Sequence, residues 1–168
     1  MGETIWLVGM MGAGKSAVGR ALARRLGREF VDTDAEVEKQ AGASVAEIFQ
    51  VEGEEGFRAR ERAALEAVAG RPAVVALGGG AIAQPGAPER LAASGSVVYL
   101  QARPETLLAR VADAETRPLL RGLDAAARLE RIRRLLEARE DAYRTAGVIV
   151  ETDALDVESV ADALAARL

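Results

Sequence analysis

The chain has 168 residues, a net charge of −4, 49% apolar and 29% charged residues, the balance of one globular domain rather than a disordered chain. With no Cys and no His, disulfides, thiolate nucleophiles and metal sites built on those residues are excluded, and acid–base work falls to carboxylates, Lys, Tyr or water. The acidic balance argues against a nucleic-acid partner. No apolar run reaches the roughly 18 residues of a membrane span, and the start lacks a basic leader, so the expectation is a cytoplasmic protein without membrane contact.

Thr4 to Val8 (TIWLV) is a β-rich apolar run that stops at Gly9 and reads as a buried strand. A glycine loop follows, then a helix over Ser16 to Leu26, where Val18, Ala21, Leu22 and Leu26 recur at helical spacing. Phe30 and Val31 form a second short strand ending in Asp32. Ser44 with Glu47 makes a capping box that opens a helix through Phe49, and a longer helix is expected from about Glu55 to Ala69. Ala73 to Leu77 is a third strand, closed by Gly78-Gly79-Gly80, and Val97 to Leu100 a fourth, after which Pro104 opens a helix. Residues 112–124 are polar, broken by Pro118 and Gly122, and read as a mobile loop. Ala125 to Arg144 is an Arg/Glu-rich helix, Val148 to Val150 a fifth strand, and Val157 to Leu168 a closing helix. Strands alternating with helices imply one α/β domain over residues 1–168, a parallel five-stranded sheet with helices on both faces. Trp6 and the Phe residues are expected in the core.

Gly9-Met10-Met11-Gly12-Ala13-Gly14-Lys15-Ser16 satisfies G-x-x-x-x-G-K-[ST]. The glycines turn backbone N–H groups around a phosphate, the Lys supplies a point charge to the β/γ-phosphates, and the Ser hydroxyl takes Mg²⁺. The helix beginning there adds its N-terminal dipole. At this composition the pattern arises by chance in roughly one chain per thousand, and the strand before it and helix after it are both present. Of the 22 basic residues only Lys15 and Lys39 are Lys, so the loop keeps a Lys in a chain that otherwise uses Arg. An idle glycine turn is the weaker alternative. Nucleoside triphosphate binding follows; the acceptor must come from the other motifs.

Asp32-Thr33-Asp34 follows the second strand and so faces the same sheet edge as the phosphate loop. One Asp suits Mg²⁺ through water and the other proton acceptance from an acceptor hydroxyl; the alternative is that Asp34 only caps a helix starting at Ala35. Arg58, Glu61, Leu65 and Val68 share one helix face, either as a structural ion pair on the apolar stripe or as an Arg oriented by Glu61 to hold a carboxylate. On the late helix Ile132, Leu136, Arg139 and Tyr143 share a face that is apolar but for the Arg, so Arg139 needs an anionic partner; Arg133 and Arg134 read as a solvated face. The triple glycine permits close approach of backbone to ligand, or is a plain turn. Arg117-Pro118-Leu119-Leu120 lies in the presumed loop, where a cation can close over the γ-phosphate. Arg110 either stacks on a base or lies in solvent.

Together these pieces resemble shikimate kinase over nearly the whole chain: GMMGAGKS at 9–16, DTD at 32–34, GFRARE at 56–61, GGG at 78–80, RPLL at 117–120, and Arg139 with Tyr143 before Ala146. The resemblance implies a P-loop NTPase-type three-layer sandwich with a lid at about 112–124, and ATP-dependent phosphorylation of the 3-hydroxyl of shikimate on the route to aromatic amino acids. It further implies that Asp32, with Ser16, serves Mg²⁺, and that Asp34 binds the substrate hydroxyls and is the base. By the same likeness Arg58 and Arg139 hold the shikimate carboxylate, Gly79 and Gly80 lie against substrate, and Arg117 reaches the phosphates. Gly12, Ala13, Gly14, Lys15, Ser16 and Ala17 surround the nucleotide phosphates, Arg110 packs near adenine, and further adenine contacts fall around Thr152 to Ala154. Lys15, Asp34 and Arg117 are the catalytic set, and the family expectation is a monomer. Another P-loop small-molecule kinase, such as a gluconate kinase, or a nucleotide-binding module without catalysis, are the competing readings; the chain offers little room for a separate nucleotide-acceptor domain.

Overall fold

The computed structural model describes residues 3–111 and 117–168. Five strands form one sheet: β1 (Thr4–Val8), β2 (Glu29–Asp32), β3 (Ala73–Ala76), β4 (Gly95–Gln101) and β5 (Val148–Glu151). Every pairing is parallel and the order is β2-β3-β1-β4-β5. All residues of β1 and β3 are buried. Since successive side chains point to opposite faces, both faces of the central strands are covered. The helices that cover them are α1 (Lys15–Leu26), α2 (Thr33–Ala41), α3 (Val45–Val68), α4 (Ala87–Ser94), α5 (Pro104–Arg110), α6 (Ala125–Tyr143) and α7 (Val157–Ala165). The expected α/β sandwich is therefore present, with all five strands where the apolar runs put them.

Trp6, Leu7, Leu22, Val98 and Leu100 stand in the main core, fully buried. Phe57 belongs instead to a second, smaller core with Val37, Ile48 and Ala64, into which Phe49 also packs. That cluster joins α2 to α3 and lies beside the carboxyl edge of β2 and β3. It gives the acceptor side of the cleft its own apolar support.

The span Val45–Val68 is broken at Gly53, whose φ of 71° and ψ of −176° are not helical, so the two helices read from the sequence, one opened by the Ser44–Glu47 capping box and a longer one after it, are both present and meet at a glycine kink. Two points go beyond the sequence reading. Helix α2 starts at Thr33, and its cap is Asp32, whose Oδ1 accepts from Ala35 N at 3.1 Å. Asp34 is therefore released from capping. Helix α4 was not anticipated, because within it only Ala87 and Leu91 are buried and the period is too short to register.

Candidate functional site

In a parallel sheet the carboxyl ends of adjacent strands open a crevice where the connections diverge. Here the loops after β1, β2 and β3 meet in a cavity of about 430 Å³ whose lining includes Gly12, Lys15, Ser16, Asp32, Asp34, Gly79, Arg110 and Arg117. Gly12 adopts φ 79°, and a Cβ on it would stand 2.7 Å from the Leu107 carbonyl oxygen, so only glycine fits this turn. Gly14 caps α1 without a side-chain bond. The first-turn N–H groups of Lys15, Ser16 and Ala17 have no partner inside the helix, and together with the helix dipole they make a ready anion cradle. Ala13 differs: it is buried and its N–H closes the loop on Met10 O at 3.1 Å.

Lys15 Nζ donates to the carbonyls of Gly9 at 2.7 Å and Met10 at 2.9 Å. Burial lowers its pKa from 10.5 to about 8, with Asp34 opposing that fall and Arg117 adding to it. A phosphate group entering the cradle supplies the counter-charge that Lys15 lacks. Ser16 Oγ donates to Asp32 Oδ2 at 2.8 Å, pairing one hydroxyl and one carboxylate of the kind Mg²⁺ takes. One hydroxyl and one carboxylate fit a Mg²⁺ whose other ligands are nucleotide phosphates and water.

Asp34 and Glu61 both face Gly78: a Cβ there would lie 2.7 Å from Asp34 Oδ1 and 3.2 Å from Glu61 Oε2. Asp34 Oδ1 and Glu61 Oε2 are buried without a hydrogen-bond partner among the described residues. Burial raises the pKa of Asp34, the neighbouring Asp32 charge raises it further, and Lys15 opposes both. Burial likewise raises Glu61, against the pull of Arg58. A carboxylate that is buried, unpartnered and more basic than usual is suited to accept a hydroxyl proton. Thr33 braces this region through its hydroxyl, which donates to Ala76 O at 3.4 Å and accepts from Gly78 N at 3.3 Å.

Arg58 Nη1 donates to Glu61 Oε1 at 2.9 Å, so both readings of this pair meet in one geometry: an ion pair that also aims the guanidinium. Arg58 Nη2 lies 2.6 Å, and Arg139 Nη2 3.2 Å, from where a Gly80 Cβ would stand. Two guanidinium groups from α3 and α6 thus converge on a glycine, and any side chain there would displace them. The bond found for Arg139 is from Nη1 to the Met10 Sδ at 3.7 Å, a weak acceptor. Arg58, Gly80 and Arg139 do not line the 430 Å³ cavity itself; this pair of cations stands next to its Gly78–Gly79 wall, where the Arg58 charge is felt by the Asp34 carboxylate.

Arg110 is exposed, as one of the two readings had it, but its guanidinium is anchored. Its Nη1 donates to Thr152 Oγ1 at 3.0 Å and its Nη2 to Thr152 O at 2.5 Å, bringing the two expected adenine-side segments together. Arg117 lines the cavity but is itself exposed. Residues 112–116 of the expected lid lie outside the described residues; of the remainder, Leu120 is fully buried and pins the 117–124 segment to the core. Sequence reasoning did not foresee the Thr33 brace or the bond from Tyr143 to the Gly79 carbonyl. In the sequence Tyr143 was legible as a member of the apolar face of α6 and as a piece of the family resemblance, not as a partner of Gly79.

Comparison with known proteins agrees with this geometry. The shikimate kinase family model matches residues 11–168. A shikimate kinase of Halorhodospira halophila is 48% identical over 159 residues, which cover 94% of this chain and 88% of that protein. The solved shikimate kinase of Acinetobacter baumannii in complex with shikimate matches with a TM-score of 0.90 at 42% identity, over 98% of this chain and 91% of that one. The shikimate kinase structure from Bacteroides thetaiotaomicron gives 0.91 at 35%, over 96% of both chains. A glycine loop on β1, a buried carboxylate on α2 and a two-arginine fork on α3 and α6, carried on a chain this similar throughout, place the protein in the shikimate kinase family.

Proposed function

We propose that the cavity transfers the γ-phosphoryl group of ATP to the 3-hydroxyl of shikimate, with Lys15, Asp34 and Arg117 as catalytic residues. The observation that carries the reading is the convergence of Arg58 and Arg139 on Gly80 beside an unpartnered Asp34 oxygen: a cationic fork for a carboxylate and a base for a hydroxyl. Arg58 and Arg139 hold the acceptor carboxylate, and Gly79 and Gly80 let the substrate lie against backbone. Asp34 Oδ1 accepts hydrogen bonds from the acceptor hydroxyls and takes the proton as the oxygen attacks phosphorus. The N–H groups around Gly12, Gly14, Lys15, Ser16 and Ala17 hold the phosphates, Lys15 stands at the β/γ side, and Arg110 with Thr152 borders the base. Ser16 and Asp32 would hold Mg²⁺, which when bound neutralises charge on the phosphate oxygens. Arg117, already on the cavity lining, stabilises the charge on the transferring group.

All of these residues belong to one domain of one chain, so the reading needs no second subunit, and a monomer in the ATP-rich cytoplasm is the form proposed. Among the described residues no helix is long and apolar enough to cross a membrane. The test is ADP release with Mg-ATP and equal concentrations of shikimate, gluconate or quinate. Turnover with shikimate alone is expected. Turnover with gluconate instead would retain the kinase and overturn the carboxylate fork as assigned, and ATP binding without turnover on any acceptor would overturn the catalytic reading. Light scattering of the purified chain checks the monomer.

A further inference from the structure

Tyr143 is fully buried at the end of α6, one turn beyond Arg139 on the same face. A buried phenol needs an acceptor, and the one it takes is the carbonyl of Gly79, at 2.5 Å. That carbonyl lies in the loop against which Arg139 sits. A Cβ on Gly79 would stand 3.1 Å from Arg139 Nη1, 3.6 Å from Gly9 O and 3.8 Å from Met11 N. The glycine loop, the phosphate loop and the Arg139 guanidinium therefore meet at Gly79, and the Tyr143 hydroxyl is the polar tie between this junction and α6. Behind it the Tyr143 ring stacks on Tyr99, with centroids 4.9 Å apart. The Tyr99 hydroxyl donates to Glu140 Oε2 at 2.9 Å, and Glu140 also pairs with Arg144 at 2.9 Å. What reaches Tyr143 from its far side is the Tyr99 ring; the polar bonds of Tyr99 are made to Glu140, away from the Gly79 loop.

We propose that Tyr143 is a positioning residue for the acceptor: by tying the Gly79 carbonyl to α6 it sets the distance between the Arg139 guanidinium and the glycine loop against which the carboxylate rests. Arg139 needs such a device because its bond to Met10 Sδ is a weak one; the other group on the same helix that its guanidinium meets is the Tyr143 hydroxyl oxygen, which the bond to Gly79 holds in place. Burial pushes the Tyr143 phenol up to about 12, with the Arg139 guanidinium opposing, so the hydroxyl remains a donor across the neutral range. The inference rests on the reading of Arg139 as a carboxylate-holding residue.

The test is a kinetic double-mutant cycle on the full chain with Tyr143→Phe, Arg139→Ala and the pair, reading KM for shikimate and for ATP separately. Tyr143→Phe keeps the ring stack and removes only the tie. It is expected to raise the KM for shikimate about fivefold, the loss of one buried hydrogen bond, and to leave the KM for ATP unchanged. In the Arg139→Ala background it should add nothing. An unchanged shikimate KM, an equal rise for ATP, or an additive effect would each overturn the inference. Tyr99→Phe, which keeps the stack and the Gly79 bond, should leave the shikimate KM alone; an effect matching that of Tyr143→Phe would mean core packing and overturn it as well. The chain has two tyrosines, so in Tyr99→Phe a ring-fluorinated tyrosine reports on Tyr143 without a substitution there. Its fluorine resonance should shift on saturation with shikimate, and a resonance that stays still refutes the tie even if Tyr143→Phe does not fold. If Arg139→Ala itself leaves the shikimate KM unchanged, the carboxylate fork fails and this inference with it. If Arg139→Ala raises it and Tyr143→Phe does not, only the positioning role fails.

Discussion

Replacing Lys15 by Met should abolish turnover and yet stabilise the unliganded protein. Burial holds the folded Lys15 at about 8 against its ordinary 10.5. At about 1.4 kcal/mol for each pKa unit, keeping that ammonium charged in the fold costs about 3 kcal/mol below pH 8. Methionine removes the charge but leaves the Gly9 and Met10 carbonyls without their donor, a loss of about 1 kcal/mol each. The net gain is about 1 kcal/mol, or about 2–4 °C in Tm for a domain of this size. The sign is fixed by linkage: between pH 8 and 10.5 the unfolded chain binds more protons than the folded one, so wild-type stability rises with pH through that window. The advantage of Lys15→Met should therefore be full at pH 7 and fade as pH climbs towards 10.5. Calorimetry of both proteins without nucleotide, from pH 6.5 to 10, checks this, and ATP should raise the Tm of the wild type far more than that of the variant. A variant that melts several degrees lower at pH 7, or a Tm difference independent of pH, would refute the claim that a desolvated charge is stored at this position.

The other expectations concern the acceptor side. Asp34→Asn should lower kcat by about 10²–10⁴-fold while ATP still binds, and wild-type kcat should fall as pH drops through the raised Asp34 pKa; an acid limb that persists in Asp34→Asn would assign it to another group. Arg58→Ala and Arg139→Ala should each raise the KM for shikimate about 10–100-fold, the range for a charge-assisted bond, with little change for ATP; equal losses for both substrates would undo the fork. Gly80→Ala places a methyl 2.6 Å from Arg58 Nη2 and should raise the shikimate KM through displacement of that guanidinium, with only a small fall in Tm because Gly80 is not in the left-handed region. Wild-type affinity in Gly80→Ala would show that the fork can retreat freely.

Much of this was legible in the sequence because the determinants are local. The phosphate loop is contiguous and its glycines take the positive φ the turn needs, as at Gly12, although the close approach that also demands a glycine there, to the Leu107 carbonyl, comes from a remote segment. The five strands were readable as short apolar runs since a central parallel strand is buried on both faces, and the faces carrying Arg58 and Arg139 followed from helical periodicity alone. From the sequence Asp34 could have been no more than the cap of a helix starting at Ala35; the structure begins α2 at Thr33 with Asp32 as its cap, which frees Asp34. Likewise the sequence showed that Arg139 wanted an anion but not that it would meet Arg58, from a helix 81 positions earlier in the chain, at a single glycine. The bonds from Tyr143 to Gly79 and from Arg110 to Thr152 are of the same kind. A motif specifies which chemical groups are present; only the packing of α3 and α6 across the end of the sheet decides which of them come together, because burial energies and distances between remote segments have no period along the chain.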